Sequence, residues 1–208
     1  MTAVTARKCF ITCPANQYLF QEGQEVTGAY FIYKGEFKIV GTTTSGRQQI
    51  VRLATDGQIL GHRGYGDNFY PIGAISLVTS QVCYLDNDLL YEIFMNNPIV
   101  TYQVMRFYAD ELRKSELRTK FFGQMNTSEK IMYALIYASE TFGLSDDKFI
   151  RQPLSRLEYA EIAGTNAEQV SRTLSVLKKR GLIKLSGRRI GIPHLQKLKA
   201  ELKNYHLL

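Results

Sequence analysis

The run LSRLEYAEIAGTNAEQVSRTLSVLKKRGLI, at residues 154–183, leaves the chain the fewest options. Ser155 is placed to cap a helix whose apolar side is Leu157, Ala160 and Ile162 or Ala163. Gly164 breaks that helix, and Thr165 or Asn166 starts the next. The second helix carries Val170, Leu174 and Leu177 on one face, at spacings of four and three. Its other face carries Glu168, Gln169, Ser171, Arg172 and Ser175. Two short helices about a glycine-containing turn make a helix-turn-helix, whose second helix presents polar side chains to the DNA major groove. Gly181 ends the motif. Residues 182–185, then Ser186-Gly187, then residues 188–192 predict a small hairpin, which completes a winged helix.

The charge distribution agrees. Residues 1–147 hold 13 Lys+Arg and 15 Asp+Glu, a net of −2, whereas residues 148–208 hold 13 Lys+Arg and 4 Asp+Glu, a net of +9. Positive charge gathered on one module is the footprint of phosphate neutralisation. Arg172 offers a guanidinium fork that fits guanine O6 and N7, and Glu168 accepts from cytosine N4; Ser171 and Gln169 read bases more permissively. Thr165, Lys178, Lys179, Arg180, Arg188 and Arg189 are assigned to the DNA backbone, which sets affinity without sequence.

The N-terminal half has a different texture. Between residues 18 and 85, short apolar runs alternate with glycine turns: residues 18–20, 30–33, 37–40, 50–53 and 82–85 read as strands of a roll or sandwich. Residues 57–68, with four glycines, read as a loop-rich insert. Residues 88–96 predict a short helix. Pro98 then suits the first turn of a long one, because residues 99–122 contain neither Gly nor Pro. Thr101, Met105, Tyr108, Leu112, Ser115, Thr119 and Phe122 recur at spacings of four and three, a stripe suited to a partner helix. A further helix begins at Ser128 and closes at Gly143, and residues 144–148 read as a connector.

Other classes fit poorly. No apolar run approaches the roughly 18–20 residues of a membrane span, and residues 1–10 lack a secretory layout, so a cytoplasmic protein without a membrane partner is expected. Cys9, Cys13 and Cys83 are too few for a disulfide framework or a four-thiolate cluster, so neither a metal nor a cofactor is expected. His62, His194 and His206 are scattered, and no catalytic motif is present, so the chain does not read as an enzyme.

The signature at residues 154–183 resembles that of the Crp/Fnr family of bacterial regulators. LFQEGQ, YFIYKGEFKIV and GRQQIVRLATDGQILG are similar to that family's β-roll, and the likeness extends over residues 15–195. The resemblance implies an α+β chain: an N-terminal β-roll of double-stranded β-helix type (residues 1–97), a long dimerisation helix (98–122) and a winged helix-turn-helix (123–208). It implies a homodimer joined along Met105, Tyr108, Leu112 and Thr119, and bound to double-stranded DNA at a palindrome. The spacing Glu168-x-x-Ser171-Arg172 is similar to the Fnr-like branch and implies TTGA-like half-sites. RNA polymerase becomes a partner if the chain activates transcription. Family members that bind cyclic nucleotides carry a Glu after a Gly for the ribose, then Arg-Ser-Ala for the phosphate. Here Leu60-Gly61 is followed by His62, and the later position reads Ile72-Gly73-Ala74. Isoleucine cannot neutralise a phosphate, so a cyclic nucleotide is not the expected effector. His62, Arg63, Tyr65, Asn68 and Tyr70 are the candidate lining of a pocket for another effector; the alternative is cyclic-nucleotide control through an altered pocket.

Overall fold

The computed structural model describes residues 9–44, 46–64 and 66–202. Tyr65 and His206 lie outside the described residues. The chain divides into two compact units, Met1–Leu112 and Arg113–Leu208. The boundary falls inside the long helix, Pro98–Phe122.

The first unit is an antiparallel roll. Strands β1 (Cys9–Cys13), β2 (Tyr18–Phe20), β3 (Gly28–Lys34), β4 (Glu36–Thr42), β5 (Gln48–Thr55), β6 (Ile59–Leu60), β7 (Gly73–Ser76) and β8 (Ser80–Asp86) make two sheets. Their orders are β1-β8-β3-β6 and β2-β7-β4-β5. The five strands predicted from the sequence are present. The segment predicted as loop, residues 57–68, contains β6 and a 3-10 turn, His62–Gly64, so that expectation is corrected. Two residues are enough for β6 because β3 supplies its hydrogen bonds, with Tyr30 opposite Leu60 and Phe31 opposite Ile59.

Alternation along β4 turns Phe37 and Ile39 into the roll, where they meet Ile32, Leu60 and Val82. Burial of these side chains is the main force holding the two sheets together. Gly28 marks the tightest approach: a Cβ there would lie 2.1 Å from the Leu85 carbonyl oxygen on the neighbouring strand. Gly28→Ala must therefore push β3 from β8, and we expect a loss of at least about 1–3 kcal/mol, read as a lower urea midpoint.

Two helices follow the roll. Helix α1 (Asn87–Asn96) is capped by Asp86, whose carboxylate accepts from the Leu89 amide at 2.7 Å. It buries Leu89 and Leu90 against Ala29, Ile59 and Leu85, and Phe107 packs on the same cluster. Helix α2 (Pro98–Phe122) opens on Pro98, as predicted, and has no buried residue along its 25 positions. At 1.5 Å per residue it is about 37 Å long.

In the second unit, α3 (Thr127–Phe142) starts one residue before the expected Ser128, because Asn126 and Glu129 form a reciprocal capping box. Residues 144–148 are not a mere connector. Ser145 donates its amide to the Phe149 carbonyl, Lys148 takes a φ of 67°, and Phe149 bridges to Gly191. The segment thus folds back as a turn against the hairpin that follows the helix-turn-helix.

Candidate nucleic-acid interface and the roll cavity

Helix α4 (Arg156–Ala163) is set by Ser155 and Glu158, which cap each other's backbone amides. Its buried residues are Tyr159, Ala160, Ile162 and Ala163. Leu157, predicted on this face, is 59% exposed. At 100° per residue it stands about 160° from Tyr159, on the opposite side of the helix. Gly164 ends α4 at φ 65°, a left-handed conformation that glycine adopts without strain. Thr165, half-buried, returns its amide to the Ala160 carbonyl at 3.0 Å. Asn166, rather than Thr165, caps the next helix by accepting from the Gln169 amide at 2.9 Å.

Helix α5 (Ala167–Lys179) buries Val170, Thr173, Leu174 and Leu177. Glu168, Gln169, Ser171, Arg172, Lys178 and Lys179 are all exposed, as the periodicity required. Arg172 and Glu168, one turn apart, pair at 2.5 Å with side chains 68% and 71% exposed. Such a pair adds only about 0.3–0.5 kcal/mol in water, so both groups remain open to a stronger partner. The pair holds a donor fork beside an acceptor at the N-terminal end of the helix. Ser171 and Ser175 return their hydroxyl protons to Ala167 and Ser171 carbonyls, which leaves their oxygens as outward acceptors.

The predicted hairpin is β9 (Lys184–Ser186) and β10 (Arg189–Gly191), turning at Gly187 with φ 57°. Arg188 is exposed beside the turn. Two cations assigned to the DNA backbone also carry ion pairs within the protein. Arg189 lies 3.2 Å from the Asp147 carboxylate and 4.4 Å over the Phe149 ring. The Ser145 hydroxyl, and then Arg189, hold the Asp147 carboxyl below the usual carboxylate range, so this pair stays ionised. Arg180 pairs with Glu201 at 2.8 Å. Neither partner was visible as such in the sequence, since both pairings are long-range.

The tail of α2 belongs to this unit. Arg118 donates to the Ile162 carbonyl of α4 at 3.1 Å, and its guanidinium lies 5.0 Å over Phe122. Tyr133 and Tyr137 complete an aromatic wall at 5.8 and 5.9 Å. The contact joins the end of α2 to the first helix of the motif.

In the roll, His62, Arg63 and Tyr70 come together with Phe20, Arg52 and Ile72 around a cavity of about 10 Å³. That is room for about one water. Asn68, predicted in the lining, is exposed and stands outside it. Tyr70 fills the interior: its ring stacks on Phe20 at 4.3 Å and its hydroxyl donates to the Gly28 carbonyl at 2.8 Å. His62 is 4% exposed and packs edge-on against Phe107 and Tyr108 of α2. Burial, then Arg52 and Arg63, push its imidazole down to about 3, so it is neutral at ordinary pH. Tyr108 donates to the His62 carbonyl at 2.7 Å, which turns part of that side chain toward its own roll. Sequence reasoning missed Arg52 and Glu111. The one available signal was a charged residue inside the apolar run of β5.

Comparison with known proteins fits this geometry. The profile of the cyclic nucleotide-binding domain matches residues 10–97, and that of the Crp-like helix-turn-helix domain matches residues 129–201. The chain belongs to the Crp/Fnr family of transcription regulators. Among Crp/Fnr relatives, the transcriptional activator protein FnrA of Stutzerimonas stutzeri is 27% identical over 84% of this chain and 72% of its own length. The fumarate and nitrate reduction regulatory protein of Salmonella typhimurium is 27% identical over 88% of this chain and 74% of its own. The solved structure of FixK2 from Bradyrhizobium japonicum superposes with a TM-score of 0.82 at 21% identity, covering 93% of this chain and 96% of that one. The α+β architecture is therefore that of the Crp/Fnr fold, and the chain is a DNA-binding regulator rather than an enzyme. Among the described residues, no helix is long and apolar enough to cross a membrane.

Proposed function

We propose that this Crp/Fnr regulator works as a homodimer that reads a palindromic DNA site through α5, without a cyclic nucleotide. The observation that carries the reading is the set Glu168, Ser171 and Arg172, exposed on one side of a helix capped at both ends of its turn. Arg172 takes guanine, Glu168 cytosine, and Ser171 with Gln169 completes a TTGA-like half-site. Lys178, Lys179 and Arg188 hold phosphates, with Thr165 at the helix start. Arg180 and Arg189 join them only by leaving Glu201 and Asp147. The second copy is supported by α2, whose Met105, Tyr108 and Leu112 are 59%, 37% and 61% exposed, with Thr119 exposed on the same stripe.

Selection of bound duplexes from random DNA tests this reading. The expected outcome is a palindrome with half-site centres roughly 34–36 Å apart. Recovery of single, unpaired half-sites, or of no motif, would contradict it. The match to a cyclic nucleotide-binding profile favours a second reading, control by cAMP or cGMP. Ile72 and Gly73 offer no charge for the phosphate, and the cavity is too small for a nucleotide. Calorimetry with cAMP is expected to show no micromolar binding; measurable heat at that level would favour the second reading.

A further inference from the structure

The hairpin β9–β10 carries two adjacent arginines in different electrostatic settings. Arg188 is exposed and makes no ion pair among the described residues. Arg189 is compensated: its Nη2 lies 3.2 Å from Oδ2 and 3.5 Å from Oδ1 of Asp147. The carboxylate is itself fixed, because the Ser145 hydroxyl donates to its Oδ1. The turn that presents it is held independently of the pair. The Ser145 amide donates to the Phe149 carbonyl, and the Ile192 amide to the Lys148 carbonyl, both at 2.8 Å. The Phe149 ring holds the guanidinium from another side, 4.4 Å from its centroid. The two charged side chains are 49% and 57% exposed, and an ion pair so open to water adds little to stability. What the pair does change is the charge that the hairpin offers to a polyanion. A carboxylate on the guanidinium cancels one of the cations that a phosphate would meet.

We infer that Asp147 is an internal stand-in for a DNA phosphate, a counter-charge that restrains how strongly the hairpin holds DNA. The inference rests on the regulator reading, which gives Arg189 a phosphate to meet. A phosphate that approaches Arg189 meets a pair with no net charge. If the guanidinium swings away to the phosphate, the carboxylate it leaves stays on the neighbouring turn and repels the same group. Counterion release follows the number of phosphates neutralised, so Arg189 adds little to affinity or to its salt dependence while Asp147 is ionised. The Ser145 hydroxyl, and then Arg189, favour the ionised carboxylate, so the restraint holds at ordinary pH. Removing the charge at 147 does not cast Arg189 loose, because the Phe149 ring still holds the guanidinium. It remains on the hairpin as an uncompensated cation. Phosphates carry no base identity, so Asp147 restrains binding to every sequence alike and leaves the base reading by α5 untouched.

The test is a charge cycle on the full-length protein: wild type, Asp147→Asn, Arg189→Gln and the double variant. Each is titrated with a selected palindromic duplex and with an unrelated duplex, at several salt concentrations. Asparagine keeps an acceptor for the Ser145 hydroxyl, so the turn is preserved. Asp147→Asn should tighten both duplexes about 3- to 10-fold at low salt and steepen the salt slope by about one. Arg189→Gln alone should change the slope by less than about half a unit, because its charge is already cancelled. The gain from Asp147→Asn should disappear in the double variant. Unchanged or weaker binding by Asp147→Asn overturns the inference. So does a full-unit loss of slope in Arg189→Gln with Asp147 intact, or a gain that persists undiminished in the double variant. Elution from immobilised heparin reads the same cycle without a DNA site, and only the single variant Asp147→Asn should elute at higher salt than wild type. That elution pattern without duplex binding supports the counter-charge and counts against the regulator reading. Sequence-selective duplex binding with a flat cycle sinks the counter-charge alone.

Discussion

Leu112→Asp is expected to convert the protein to monomers and to weaken binding to a palindromic duplex by about 10²–10⁴-fold. The argument starts from α2. The helix of 25 residues has none fully buried, although Phe107 and Tyr108 touch the roll and Arg118 reaches Ile162. Yet its stripe carries Met105 and Leu112, 59% and 61% exposed, and Tyr108, 37% exposed. Two such stripes facing each other across a two-fold axis would bury apolar surface that water now covers. Near the axis each residue meets its own copy, so an aspartate at 112 would place two carboxylates together in a dry seam. Desolvation and like-charge repulsion then act in the same direction. The folded chain has little to lose, because Leu112 is mostly exposed within it. The weakened DNA binding follows from the lost second contact: in a dimer, the second half-site is met at an effective concentration near millimolar for a short link. Sedimentation velocity and fluorescence anisotropy would measure the two effects. An intact dimer of Leu112→Asp would remove α2 as the interface.

What could be read directly from the sequence was local chemistry. Ser155, Gly164 and Asn166 act within three or four residues of themselves, so the helix-turn-helix could be written down before any coordinates. The same holds for Pro98 at the start of α2 and Gly187 in the hairpin. Strands with alternating burial, such as β4, were equally plain. The misses are tertiary. Strand β7 is buried at all four positions and shows no alternation, and β6 is two residues completed by β3. Leu157 looked apolar and therefore inward, but the helix phase set by Tyr159 and Ile162 turns it out. Arg180 and Arg189 looked free because Glu201 and Asp147 lie 21 and 42 residues away. Arg52 and Glu111 are 59 positions apart, and only folding places them around His62.

Arg172→Ala should lose about 1–3 kcal/mol at one G·C pair in each half-site, or about 2–6 kcal/mol for both. That corresponds to about 30-fold to 10⁴-fold in affinity. Arg172 lies in the N-terminal half of α5, one turn from Glu168, where a recognition helix meets base edges. Lys179 is the last residue of the same helix and is also exposed. Net charge makes Arg172→Ala and Lys179→Ala equivalent; position does not. Lys179→Ala should weaken all sequences alike and reduce the salt slope by about one. The decisive measurement is binding of both variants to every single-base variant of a selected palindrome, at several salt concentrations. The account predicts that Arg172→Ala flattens the preference at one symmetric pair of positions, while Lys179→Ala keeps every preference. A uniform loss of affinity in Arg172→Ala with base preference intact would contradict the placement of α5 as the reading helix.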